Sequence, residues 1–581
     1  MFKNHPKGLP VLFFTEMWER FGFYLMLGIF TLYMKAGANG AYPAKSGLGF
    51  DGATASDIYG TYIALVYLTP FIGGLLADRI LGYRRSIVIG GVLMGLGYCG
   101  LAIPGYGVHF FVSLLLIIVG NGFFKPNIST LVGNLYNDDK YRSSRDEGFN
   151  IFYMGINIGA LACNFVAAYL RINYGWGYAF LAAGIGMFIG VAWFLAGQKH
   201  TVHADVLKPT QPGDQAVGSI LGQVFVPAFA FAAVGWFVPD LLLGDGGEKP
   251  FTFLGKQSND AFLFACVPVA WFYSSLWRKA HGEDKERLGA LLPLCAAVIA
   301  FWAIFHQNGD ALTTWAEEHT EREMPATMAS AASQVGLAQE VFSQRRVPKL
   351  DANKKEIKGA DGKPETVLEP EPYFKNSKTP APAPTPECLP VGADLSEAQQ
   401  AQCSKKSVKL VSSELFQSVN AFFVVALTPL VVGVFAWLRR RKKEPSTPGK
   451  IALGMFITAL STLVMVTAAV MTHNGEIRGT MMWLVGTYFV VTIGELCLSP
   501  MGLSMVSKLS PPRLTALMMG AWFLSTSIGN KLAGILSALF NAFETKAYAF
   551  GINCVLALAS CGLILAMLPR LKRVMAKYMG G

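Results

Sequence analysis

The chain has 581 residues, 52% of them hydrophobic and only 15% charged. A soluble domain carries about a quarter charged residues, and the apolar residues here run in stretches of roughly eighteen or more, the length that spans a bilayer, so a string of soluble domains is excluded. The formal net charge of +11 does not point to nucleic acid, because the basic residues cluster in short loops between apolar stretches, as at Arg439-Arg440-Arg441-Lys442-Lys443, which is a topology signal.

The first apolar stretch, Val11 to Met34, contains Glu16, Glu19 and Arg20. A cleaved signal would not place three charges in its apolar region, so a retained helix is expected. Spans are expected near 11–35, 57–77, 86–105, 109–136, 148–170 and 174–197, then near 217–243 and 260–280. The last six fall near 289–316, 411–438, 449–472, 480–507, 513–540 and 545–569. All fourteen must be helical, because lipid offers the backbone no hydrogen-bond partner. With the N-terminus inside, most Lys and Arg of the short loops fall inside, so both termini are expected in the cytoplasm.

Residues 317–410 break this pattern as a long polar insertion, which the topology places outside. Its tract Thr379-Pro380-Ala381-Pro382-Ala383-Pro384-Thr385-Pro386 reads as a stiff, poorly foldable linker. Cys388 and Cys403 lie in it and would meet an oxidising compartment, where they can pair. The other seven of the nine cysteines sit singly in apolar segments as small hydrophobes. Without a CxxC pair no metal site is expected. Gly184, Gly186 and Gly190 resemble a nucleotide-binding fingerprint, but no strand precedes them, and small residues serve close helix packing in membranes. No Walker motif appears, so neither ATP nor any other cofactor is expected.

Charges inside spans carry the chemistry, since each costs at least about 2.5–3.5 kcal/mol at the bilayer centre. Glu16, Glu19 and Arg20 stand at i, i+3 and i+4 and share one helical face, with Phe23 and Leu27 continuing it and Tyr24 beside it. Two acids against one base leave a surplus negative charge that Lys125, from another helix, can balance. Such a cluster can hold a proton, because losing one neighbour shifts a carboxylate's affinity; the alternative is a static ion network joining helices. Lys125-Pro126, and Glu495 with Pro500 and Gly502 beyond it, mark bendable charged helices. His306 and Asp310 are four residues apart in the ninth span, where their side chains are expected to meet as a proton-sensitive pair; the bland alternative is a polar pair that binds water. Lys531 reads as a snorkelling side chain or one bonded to a carbonyl.

Gly74, Ala77, Asp78, Arg79, Gly82, Arg84 and Arg85 form a charged turn between the second and third spans. It resembles the loop signature of the major facilitator superfamily, whose role is conformational. Glu16-Met-Trp-Glu19-Arg20-Phe21-Gly22-Phe23-Tyr24 resembles the first-helix motif of the proton-dependent oligopeptide transporter family, and Phe152-Tyr153-Met154-Gly155-Ile156-Asn157-Ile158-Gly159 its fifth-helix signature. Tyr67-Leu68-Thr69-Pro70, Phe124-Lys125-Pro126-Asn127, Phe416-Gln417-Ser418-Val419-Asn420 and Gly494-Glu495 also match. The matches span the chain apart from the insertion, and fourteen spans resemble the bacterial members.

The resemblance implies an all-α major facilitator fold: an N-terminal six-helix bundle over 1–200, two inserted helices and linkers over 201–285, and the first helix of the C-terminal bundle over 286–316. The extracytoplasmic insertion, 317–410, and the remaining helices of that bundle, 411–581, complete it. It implies a cavity that alternates access and takes di- and tripeptides with protons. Arg20 and Lys125 would hold the peptide carboxylate, and Glu495 with Asn157 and Asn420 its ammonium group. Phe23, Tyr24, Tyr67, Trp302, Trp522 and Thr526 would line the pockets. Proton coupling would fall to Glu16, Glu19, Arg20, Lys125, Glu495, His306 and Asp310. The sequence also departs from the pattern. Phe23 replaces a tyrosine, Leu27 stands where many bacterial members have Arg, and His306 stands where they have Glu or Asp, so the family's outer gate pair is missing. Gly60 occupies the place of a proton-linked histidine in mammalian members.

The expected partners are protons, di- and tripeptides and the lipid bilayer of a bacterial inner membrane, with a monomer as the working unit and no nucleic acid. Nitrate or another small anion is the alternative cargo. A membrane sensor or adaptor, with the insertion as its receptor module, is the alternative class. A membrane enzyme would need a nucleophile or metal cluster that the sequence does not offer.

Overall fold

In the computed structural model the described residues are all except 1, 38–46, 207–216, 245–249, 350–356, 358–364, 390–395, 512–513 and 580–581. Residues 207–216 and 245–249 of the linkers expected within 201–285 therefore lie outside them. Among the described residues, twelve helices are long and apolar enough to cross a membrane by length and composition. Two more, Gly8–Lys35 and Tyr83–Leu101, fall outside that set yet pack among the others. The first owes this to the charges at 16, 19 and 20.

The first bundle comprises α1 (Gly8–Lys35), α2 (Gly52–Leu76), α3 (Tyr83–Leu101), α4 (Val108–Leu135), α5 (Arg145–Asn173) and α6 (Trp176–Gly197). An apolar hairpin follows, α7 (Val217–Leu243) and α8 (Gln257–Lys279). The second bundle opens with α9 (Gly282–Phe305) and α10 (Ala311–Glu318). The insertion contributes α11 (Ala326–Gln334) and α12 (Glu397–Ser404). The second bundle closes with α13 (Leu415–Arg440), α14 (Thr447–Met471), α15 (Met482–Leu509), α16 (Thr515–Ala542) and α17 (Lys546–Met579). Each bundle has its own apolar core. The bundles meet mainly along α2 against α16 and α5 against α13.

Small residues set how closely helices approach. A Cβ on Gly184 would fall 2.6 Å from the Cys99 sulfur, and Cβ atoms on Gly186 and Gly190 would each fall 3.0 Å from Trp18. These three glycines are packing surfaces. At the bundle interface the crossing brings backbone onto backbone: a Cβ on Gly60 would sit 2.8 Å from the Gly534 Cα. No side chain fits at position 60, which accounts sterically for the missing histidine.

The ninth span is not one continuous helix, and this corrects an expectation. α9 ends at Phe305, a 3-10 turn covers His306–Gly309, and Asp310 has non-helical φ −134° and ψ −84°. The i, i+4 geometry that would join His306 to Asp310 is lost. The freed carbonyls take partners from the first bundle: Tyr59 Oη donates to the His306 carbonyl (3.0 Å) and Thr31 Oγ1 to that of Gly309 (2.8 Å). Gly309 must lack a side chain, because a Cβ would overlap the Tyr59 hydroxyl.

The insertion folds against the helix ends. β1 (Thr320–Glu321) pairs in parallel with β6 (Gly479–Thr480). β2 (Gln339–Val341) pairs antiparallel with β5 (Val408–Leu410), and β3 (Gln344–Pro348) with β4 (Thr366–Pro370). The Pro-Ala tract forms no helix or strand until the turn at Pro386–Cys388, but its first residue is pinned. Thr379 Oγ1 donates to the carboxylates of Glu321 (2.9 Å) and Glu323 (2.6 Å). Burial pushes Glu321 up, yet hydrogen bonds from Ser377, Tyr373, the Lys378 N–H and Thr379 outweigh it and hold the carboxyl below its usual range. Cys388 and Cys403 are disulfide-bonded.

Candidate functional site

Helical spacing puts Glu16, Glu19 and Arg20 on one face of α1, turned into the bundle, and they are 3%, 0% and 3% exposed. The Arg20 guanidinium forks onto Glu19, its Nε close to Oε2 and its Nη2 donating to Oε1 at 2.6 Å. Its Nε also lies 3.3 Å from Glu16 Oε1. Bidentate geometry of this kind is the strongest form of the pair. Asn121 Nδ2 donates to Glu19 (3.4 Å), whereas Glu16 Oε2 has no hydrogen-bond partner among the described residues. The Phe23 ring lies 4.8 Å from the guanidinium.

Lys125 does not join this cluster by an ion pair. Its ammonium lies 4.0 Å from the centroid of the Tyr67 ring, a cation–π contact. It remains half-buried, as do Tyr24 and Tyr67. Both tyrosines lie within electrostatic reach of Arg20 and of Glu495, so they stand between the two charged walls.

Glu495, on α15, forms the opposite wall. Asn420 on α13 donates to Thr492 Oγ1 (2.8 Å) and to Glu495 Oε2 (3.3 Å). No cation pairs with Glu495 among the described residues. Trp302 stacks on His306 with ring centroids 5.4 Å apart, and Tyr67 meets His306 edge-on at 5.5 Å. Asn157, Trp522 and Thr526 are buried. Asn157 donates to the Tyr153 carbonyl (2.9 Å), Thr526 to that of Trp522 (3.3 Å), and Trp522 covers Gly502.

Asp310 stands apart from this arrangement. It is fully buried and faces Lys35, Ser56 and Ser537 rather than His306. Neither carboxylate oxygen closes a hydrogen bond of ordinary geometry. Lys531 also departs from expectation. It does not snorkel: it is 1% exposed and donates to Asp57 on α2 (2.7 Å) and to Thr61 (2.6 Å). Ser258 on α8 also donates to Asp57, at 2.5 Å, which ties the hairpin to both bundles.

Several ties that close the bundles at the insertion end were not expected from sequence. Arg171, near the end of α5, pairs with Glu414, just before α13, at 2.7 Å and 3.1 Å. Lys35 Nζ donates to Thr314 (2.7 Å) and Asn541 (3.1 Å). Asn164 donates to Ser418 at 3.1 Å. Where Leu27 replaces an arginine, its carbonyl accepts from Gln417 (3.4 Å), which also donates to Thr313 (2.9 Å). At the other end, the turn after α2 is a π-helical segment, Ala77–Leu81. Tyr83 Oη donates to Asp78 (2.8 Å) and Arg84 to Gln198 (2.6 Å). Asp205 caps α3 by accepting from the Tyr83 N–H at 2.7 Å. Arg79 and Arg85 flank these contacts in sequence.

The protein-family model described as POT family (PTR2) matches residues 84–335 and 397–552. An uncharacterized transporter of Bacillus subtilis, YclF, is 30% identical over 99% of this chain and 96% of its own. A di-/tripeptide transporter of Lactococcus lactis subsp. lactis is 29% identical over 100% of this chain and 97% of its own. Among solved structures, a POT family transporter in complex with 5-aminolevulinic acid superposes with a TM-score of 0.72 at 26% identity, covering 98% of each chain. The peptide transporter POT in complex with sulfate gives 0.70 at 29% identity, covering 99% of this chain and 96% of that one.

Proposed function

The chain belongs to the POT family, and from that premise we propose that it is a proton-coupled symporter importing di- and tripeptides by alternating access. The observation that carries this reading is the pair of opposed charges across the tyrosine-lined space. Glu495, neutralised by no cation, faces the side that holds Lys125 and Arg20. A zwitterion with a fixed span between its ends suits two such sites, whereas nitrate gives Glu495 no partner.

In this reading Glu495 and Asn420 take the peptide ammonium, and Lys125 takes the carboxylate. Arg20 is almost wholly occupied by its two glutamates, so it acts chiefly by holding them. Glu16, with one oxygen unpartnered, is the proton acceptor of the cluster. The proton is bound and released as Lys125 and Arg20 change their distance from it, because a departing cation makes a carboxylate hold its proton more tightly. Tyr24, Tyr67 and Trp302 shape the side-chain pockets. Asn157, Trp522, Thr526 and Phe23 support those walls. His306 packs on two of these rings, and Asp310 belongs to the closing layer beside Lys35. The domain bounds drawn above then separate two moving bodies, with the loop around Asp78, Arg79, Arg84 and Arg85 as a conformational latch.

The excess of Lys and Arg on one side places both termini in the cytoplasm and the insertion outside the inner membrane. The ties at the insertion end therefore close the outward route. The working unit is a monomer, and no enzymatic step is assigned to it. Purified protein in liposomes should accumulate labelled dialanine above its outside concentration when the outside is made acidic. The driving force is about 2.3 kcal/mol per 100 mV per charge. Uptake of nitrate in place of dialanine, or of neither, would overturn this reading.

A further inference from the structure

Between the insertion and the ends of both bundles lies a chamber of about 830 Å³, within the roughly 300–1,000 Å³ of small-molecule sites. Its floor includes Lys35 and Arg171, the residues that tie the bundles shut, and its walls come from β2, β3 and the turn at Pro372–Lys375. Seven of its lining side chains are Lys or Arg and three are Glu.

Carboxylates neutralise only part of this charge: Arg345 lies 4.0 Å from Glu369, and Lys35 faces the buried Asp310. Arg171 is matched by Glu414, and Arg322 by Glu317 at 2.9 Å. Arg478 is 5% exposed, yet among the described residues its guanidinium donates to carbonyl oxygens alone: Tyr373 (3.0 Å), Glu317 (2.8 Å) and Thr320 (3.2 Å). Lys35 donates to neutral groups, and Arg346 does the same, to the Leu389 carbonyl (2.7 Å) and the Thr366 hydroxyl (3.3 Å). Lys375 has no ion pair among the described residues. Burial, and next the neighbouring Arg322, push the Arg478 guanidinium down, against the opposing pull of Tyr373, Glu317 and Glu321. The Arg322 Nε is buried with no hydrogen-bond partner among the described residues.

We propose that this chamber is a second, outer binding site that takes short acidic peptides by their carboxylates, a reading that rests on peptide transport as the protein's function. Its volume is far larger than an inorganic anion needs. Glu318 and Glu371 remain to meet a peptide ammonium, while the surplus of arginine and lysine favours cargo with more than one carboxylate. The floor residues are the closing ties, so a peptide held there enters the central cavity when those ties part.

Equilibrium binding of labelled alanyl-glutamate and dialanine to the full chain in nanodiscs tests this. The wild type should bind two alanyl-glutamates and one dialanine per chain. The Arg346→Glu/Lys375→Glu variant alters two wall positions outside the packed cores and should weaken the second alanyl-glutamate at least about tenfold. Arg478→Gln should weaken it in the same direction. One alanyl-glutamate per wild-type chain, or unchanged binding in the double variant, overturns the proposal. Displacement of alanyl-glutamate by equimolar inorganic phosphate overturns it in favour of a simple anion site. Failure of the transport reading looks different: no proton-driven dialanine accumulation, with the two-site binding of alanyl-glutamate and its response to the double variant intact.

Discussion

The two walls of the central space meet the same problem in opposite ways. On α1 the charges are paired inside the protein: one guanidinium serves two carboxylates, with Asn121 behind them, and almost nothing is exposed. On α15 Glu495 has an amide and, among the described residues, no cation, and it stays half-buried. Removing charge from water costs several kcal/mol per ion. The first wall offsets that cost with its own counter-charge. The second leaves that cost without a counter-charge among the described residues. A wall that is complete alone suits a proton store, and a wall that is incomplete alone suits a substrate site.

The hardest way to break this contrast is to remove the shared cation. Arg20→Ala leaves two buried carboxylates without their cation, a change that costs about 3–5 kcal/mol in comparable buried pairs. Uptake should fall more than about a hundredfold, and thermal unfolding in detergent should move to lower temperature. Near-normal uptake would mean that the α1 cluster is not needed. Lys125→Ala is the next largest: proton-driven accumulation should be lost while dipeptide exchange across liposomes continues at a reduced rate. Equal loss of both would reduce Lys125 to a substrate ligand. Glu495→Gln should weaken free dipeptides about tenfold, or about 1.4 kcal/mol, and leave N-acetylated dipeptides within about twofold. Equal weakening of both ligands would remove the ammonium role from Glu495.

The smallest effect belongs to an ion cluster in a loop, whose Arg439 arm is open to water. Glu444, between α13 and α14, accepts from Arg439 (2.6 Å) and Lys450 (2.6 Å). These bonds hold its carboxyl down at about 2, against an ordinary 4.5. A depressed carboxylate contributes stability above its ordinary range and loses it as the pH falls through the folded value. Glu444→Gln should therefore lower stability at neutral pH by no more than about 1 kcal/mol. The difference from wild type should close between pH 4.5 and pH 2 in acid-unfolding curves. A difference that persists at the acid end would show that the side chain acts by packing.

Hydropathy made the fourteen helices legible, and helical spacing made the α1 cluster legible, because both depend on residues near one another in the chain. The resemblance brought Lys125, Tyr67 and Glu495 into view, but their contacts came from the fold alone. Lys125 rests on an aromatic ring where charge counting suggested a carboxylate. Arg171 and Glu414 lie 243 positions apart, each at a helix end where charges are ordinary, so nothing local marks them as partners. The same holds for Asp205 with the α3 amide, and although Lys531 stood out as a charge inside a span, nothing local pointed to Asp57 on α2 as its partner. The pairing of His306 with Asp310 failed for a different reason. The helical period was carried through Gln307-Asn308-Gly309, where a first-bundle tyrosine hydroxyl takes the carbonyl that a continuous helix would have used.

The contact between Gly60 and Gly534 constrains what this chain can become. With two backbones this near, a Cβ at either position alone would force the bundles apart along their main seam. Replacing either glycine is therefore costly until the other side of the seam has already moved. A histidine at position 60 cannot be reached by one tolerated change, and any acid–base chemistry the chain performs must use other positions.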